Sequence, residues 1–72
     1  MEELVKQAKM GNDEAFTQLI IQMQCEMFRI AQTRLKNIDD ANDAIQQTNL
    51  YAYKNLRQLK EDKYFKTWII KI

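Results

Sequence analysis

The chain has 72 residues, with 11 Lys and Arg against 10 Asp and Glu, no His, one Cys and 46% hydrophobic residues. That length makes one domain, and the apolar fraction is too high for a disordered tail. A lone Cys25 and no His leave no internal disulfide, no thiolate metal cluster, and no His-based triad or His-ligated metal within this sequence.

The net charge of +1 hides an uneven split. Residues 1–53 carry five basic and eight acidic groups, a balance of −3, and residues 54–72 carry six and two, a balance of +4. A basic end on a nearly neutral domain points modestly to a polyanionic partner. Pro is absent and Gly occurs once. Strong helix formers dominate, so the chain is expected to be nearly all helix. No apolar run approaches the ~18–20 residues needed to span a bilayer, and there is no signal-peptide core. No membrane insertion and a cytoplasmic location are therefore expected. A core of this size supplies only ~3–5 kcal/mol, and the terminal IIKI has no helix-stopping residue. Both features fit a piece of a longer protein.

In chain order, Glu2 to Met10 reads as a short amphipathic helix with Leu4, Val5 and Ala8 on one side. Glu2 and Glu3 suit its N-terminal dipole. Gly11 is placed as the residue past its end, and Asn12 as the N-cap of the next helix. That second helix runs from about Asp13 to Lys36. Phe16, Leu19, Ile20, Met23, Met27, Ile30, Ala31 and Leu35 form its apolar stripe at helical spacing. The methionines are read as gap-filling core, and Cys25 as a small core residue. Phe28 lies off the stripe. Arg29, Arg34 and Lys36 belong to a solvated face, with Arg29 or Arg34 also open to phosphate.

Asn37-Ile38-Asp39 breaks the pattern, with Asp39 the expected N-cap of a third helix over Asp39 to Leu56. The short linker predicts antiparallel packing of the second and third helices. The third helix has two faces. Ala41, Ala44, Ile45, Thr48, Ala52 and Leu56 recur at steps of three and four and are expected to face inward. Asp43, Gln46, Gln47, Asn49 and Tyr53 lie elsewhere on the helix, and their short or amide-bearing groups suit hydrogen bonding to a partner or to water. Leu50 and Tyr51 beside them hint at a docking patch. A loop is expected near Gln58 to Asp62. Asp62 then caps a fourth helix, KYFKTWIIKI. There Tyr64, Phe65 and Trp68 interleave with Lys63, Lys66, Thr67 and Lys71. Single-stranded nucleic acid needs cations for its phosphates and flat surfaces for its bases. The plainer reading makes Phe65, Trp68 and Ile69 a buried stripe, and a mixture is expected, with Trp68 largely buried and Tyr64 and the lysines outward. The overall expectation is an all-α, compact bundle of three to four helices.

Three stretches together resemble region 2 of bacterial RNA polymerase sigma factors. They are Asp40-Ala41-Asn42-Asp43-Ala44-Ile45-Gln46-Gln47-Thr48, then Leu50-Tyr51-Ala52-Tyr53, then Phe65-Lys66-Thr67-Trp68-Ile69-Ile70-Lys71-Ile72. The nearest group is the extracytoplasmic-function (ECF) type, whose pattern runs roughly DAEDLVQETFLRAY, a variable loop, then FRTWLYRI. Gly11 to Phe16 is similar to that group's GDEEAF opening. The resemblance implies a domain that joins the polymerase core to promoter DNA. By position match, Asp43, Gln46, Gln47, Asn49 and Tyr53 would dock on the clamp helices of the β′ subunit. Lys60, Lys63, Tyr64, Phe65, Lys66, Thr67, Trp68 and Lys71 would engage the −10 element and hold its non-template strand open, with a flipped base in a pocket and lysines on the backbone.

Gln47 stands where the family usually has Glu, Asn49 where it usually has Phe, and Lys63-Tyr64 replaces a small polar pair. An alternative reading keeps the helical fold as a protein-interaction module, bound by an anti-sigma factor or other helical partner, with promoter function lost. No cofactor is expected. No enzyme is expected either: Asp39, Asp40 and Asp43 are the only trio of close carboxylates, and capping accounts for the first two.

Overall fold

The computed structural model describes residues 1–71. Ile72, the last residue of the expected fourth helix, lies outside them. Four α-helices follow in order: α1, Glu2–Lys9; α2, Asp13–Arg34; α3, Ile38–Asn55; and α4, Phe65–Lys71. Short 3-10 turns at Leu56–Gln58 and Asp62–Tyr64 join α3 to α4. The described residues contain no strand, as the composition predicts.

The joint between α1 and α2 follows from two residues. Gly11 takes φ +101°, a region that side-chain-bearing residues rarely adopt. Its N–H donates to the Ala8 carbonyl and that of Asn12 to the Gln7 carbonyl, closing the end of α1. The Asn12 side chain then accepts from the Ala15 N–H at 3.1 Å and starts α2.

The turn into α3 departs from expectation. α2 stops at Arg34 because Leu35 is extended, at φ −126° and ψ 121°. Asn37, not Asp39, is the N-cap, and its Oδ1 accepts from the Asp39 N–H at 2.8 Å. The helix thus begins two residues earlier than an Asp39 cap implies, and Asp39 and Asp40 fall in its first turn, where the dipole favours them. Tyr53 near the end of α3 meets Asp13 and Phe16 near the start of α2, so the two helices run antiparallel.

Val5, Phe16, Leu19, Met23 and Met27 meet Ala52, Leu56, Leu59, Phe65 and Ile69 in one core. Burying each of the larger side chains is worth roughly 1.5–3 kcal/mol. The inner stripe of α3 is closed at its ends, at Ala41, Ala52 and the following Leu56, and only half-buried at Ala44, Ile45 and Thr48.

Two further corrections come from packing. Cys25 is exposed. It lies two positions from each of the buried Met23 and Met27, and so on the far side of the helix. Asp62 makes no cap hydrogen bond. Its carboxylate instead accepts from Lys9 Nζ at 3.0 Å, and the same ammonium donates to the Leu59 carbonyl at 2.6 Å. This clamp pins the loop to α1.

Candidate docking face and nucleic-acid edge

Helical steps distribute the polar groups of α3 into two rows. Asp43, Gln47 and Leu50 recur at steps of three and four along the outer side, with Tyr51 adjoining, and all are exposed. Leu50 is 58% exposed and Tyr51 48%, large values for apolar bodies in so small a domain. Asn42, Gln46, Asn49 and Tyr53 form a second row along the edge nearest α2. The structure thus brings Asp43, Gln46 and Gln47 together on the surface, as the spacing implies.

Asn49 sits differently. It is half-buried, and its Oδ1 is shielded from solvent with no hydrogen-bond partner among the described residues. Buried acceptors are normally satisfied. Asn49 and Gln46 form one wall of an open groove of about 610 Å³ between α3 and α2, whose other wall includes Gln24, Cys25 and Phe28. The sequence reading missed this second wall. Its signal was present in Ile21, Gln24, Cys25 and Phe28, which are related by steps of three and four outside the core stripe.

Tyr53 is tied down within the domain. Its hydroxyl donates to Asp13 Oδ1 at 2.7 Å, and its ring stands edge-on to Phe16 with centroids 5.1 Å apart. The bond to Asp13, and then that carboxylate's negative charge, raise the hydroxyl's pKa above the ordinary tyrosine value. Tyr53 therefore fastens the α3 end to the α2 start, while half of its surface stays open.

The basic edge divides more sharply. Lys60, Lys63, Tyr64, Lys66, Thr67 and Lys71 are exposed. Lys63 Nζ lies 5.2 Å from the centroid of the Tyr64 ring, within cation–π range. Phe65 is 0% exposed and belongs to the core, so it cannot offer its face to a base in this conformation. The outward Tyr64 and lysines are as the mixed reading expects, but Trp68, expected to be largely buried, is only half-buried and packs at 6.2 Å, tilted, against Phe65. Lys66 forms an ion pair with Glu26 of α2 at 3.1 Å. Among the described residues no three metal-binding side chains cluster, and no helix is long and apolar enough to cross a membrane.

Comparison with known proteins bears on the family that the sequence resembles. Residues 19–72 match the family model of sigma-70 region 2, three quarters of the 72-residue chain. The chain belongs to the sigma-70 region 2 family. It is 26% identical over 68 residues to the ECF RNA polymerase sigma factor SigW of Bacillus subtilis, an alignment covering 94% of this chain and 36% of that protein. It is 39% identical over 51 residues to a probable RNA polymerase sigma factor of Haemophilus influenzae, covering 71% of this chain and 26% of that one. The chain therefore spans about a third or less of the length of these relatives. No solved structure matches it.

Proposed function

We propose that this domain acts in transcription initiation by joining the RNA polymerase core to promoter DNA, without chemistry of its own. The outer and α2-side rows of α3 dock on the clamp helices of the β′ subunit. The edge from Lys60 to Lys71 engages the non-template strand of the −10 element and helps hold it open. Such work belongs in the cytoplasm, and an anti-sigma factor is a natural competitor for the same helix face.

The observation that carries this reading is the state of Asn49. A shielded acceptor without a partner is costly, by about 1–3 kcal/mol, and a donor from a docking helix would satisfy it. The exposed Gln46, Gln47 and Asp43 surround it with further hydrogen-bonding capacity, and Leu50 and Tyr51 add apolar area. On the nucleic-acid side, Tyr64 is the free stacking platform, and stacking is worth ~1–3 kcal/mol per base. Phe65 serves that edge from beneath, by fixing where α4 begins.

Capture of the 72-residue chain by an immobilised β′ clamp-helix fragment tests the proposal. Asp43→Ala and Gln46→Ala should each weaken capture several-fold, and leave helicity and melting temperature unchanged because both side chains are exposed. Capture insensitive to both substitutions would remove the docking assignment.

A further inference from the structure

Lys66 is the one lysine of the nucleic-acid edge that carries an internal counter-charge among the described residues. Its partner Glu26 belongs to neither proposed surface. The bridge spans two elements whose backbones are fixed. Glu26 sits on α2 between the buried Met23 and Met27, and Lys66 follows the buried Phe65 and precedes the buried Ile69. The carboxylate therefore cannot travel far, whereas the long lysine stem can swing. The bridge is also open to solvent, with the lysine side chain 56% and the glutamate side chain 36% exposed. An incoming strand can reach it.

We propose that Glu26 is an affinity-setting residue that competes with nucleic-acid phosphate for Lys66. The inference rests on the reading of Lys60 to Lys71 as a single-strand edge. A carboxylate and a phosphate present the same chemistry to an ammonium: anionic oxygen acceptors for a point charge with three donors. In the free domain the carboxylate holds the ammonium. When a strand arrives, Lys66 exchanges one acceptor for the other, and the net gain is smaller than that of an unpaired lysine. Lys60, Lys63 and Lys71 have no such partner among the described residues and give their full charge. The effect is a built-in discount on non-specific backbone affinity, which leaves relatively more of the discrimination to contacts such as Tyr64.

The test is a double-substitution cycle on the 72-residue chain, read by fluorescence anisotropy of a labelled, mixed-sequence single-stranded oligodeoxynucleotide across a salt series. Glu26→Gln should tighten binding about two- to fivefold, the scale expected for releasing one exposed pair. Lys66→Ala should weaken it and lower the salt slope by about 0.7, one phosphate's share. Glu26→Gln should give no gain once Lys66 is Ala. Glu14→Gln, which removes an exposed carboxylate outside the Lys60–Lys71 edge that pairs with no lysine among the described residues, should change binding less than twofold. An equal gain from Glu26→Gln with and without Lys66 would show a general charge effect and overturn the proposal. So would a loss of melting temperature in Glu26→Gln with unchanged binding, the signature of a purely structural clip. If Lys66→Ala binds normally while Tyr64→Ala binds weakly, the competition is wrong and the single-strand edge stands. If the oligonucleotide binds none of the forms at low salt, the edge reading falls and the competition falls with it.

Discussion

Tyr53 shows how one side chain serves both folding and the surface. Its hydroxyl donates to Asp13 at 2.7 Å, and that bond links the two longest helices at the end where α1 also joins. Because the raised pKa favours the neutral, donating phenol in the folded chain, its contribution to stability is fully present below tyrosine's ordinary range near about 10. It is lost as the pH climbs through the folded value, when the phenolate can no longer donate and repels Asp13. Urea melts of wild type and Tyr53→Phe should therefore differ at pH 8, with the wild type more stable, and converge in strongly alkaline buffer. A gap that stays constant with pH would show that the hydroxyl contributes by some route other than this hydrogen bond.

At the scale of elements, the start of α3 separates two capping candidates that sequence alone could not rank. Asn37 and Asp39 both carry the short acceptor that an N-cap needs. The choice turns on where α2 ends, and that is set by the extended backbone at Leu35. Asn37→Ala should destabilise the domain by about 1 kcal/mol in chemical denaturation, and Asp39→Ala by clearly less, since only Asn37 accepts a cap hydrogen bond. Equal losses would return the cap to Asp39.

The same contrast explains what was legible elsewhere. Helical periodicity placed all four helices to within about two residues, and residue type the Gly11 and Asn12 joint; of the polar groups expected outward on α3, Asp43, Gln46, Gln47 and Tyr53 are exposed and Asn49 is half-buried. The same reading placed Trp68 largely inside and Phe65 among the DNA-engaging residues, whereas Phe65 is in the core and Trp68 only half-buried; both are apolar and adjacent to the same stripe, so only tertiary packing ranks them. Cys25 was misjudged because residue type was weighed above its angle on the helix. The Lys9–Asp62 clamp joins residues 53 apart in sequence, and the Lys66–Glu26 bridge joins different helices. No local pattern announces either.

Across the whole molecule, one long helix organises the rest. α2 is 22 residues long, about 33 Å at 1.5 Å per residue, which nearly fills the 36 Å longest dimension of the domain. α1, α3 and α4 all bury against it or around its stripe, so the face of α3 is held as a rigid surface and not as a loop. The acidic groups Asp39, Asp40 and Asp43 collect at the start of α3, and the +4 balance of residues 54–72 collects at its last turn and beyond. A protein partner on the helix and a polyanion on the edge can therefore be held together without competing for the same charges.

The central claim is that α3 folds the domain with one side and grips the transcription machinery with the other. The most direct measurement is an amide chemical-shift map of the labelled chain titrated with a β′ clamp-helix fragment. The account predicts that shifts concentrate at Asp43, Gln46, Gln47, Asn49 and Leu50, with Glu2–Lys9 unmoved. Shifts confined to α1 or to Lys60–Lys71, with the α3 amides stationary, would contradict it.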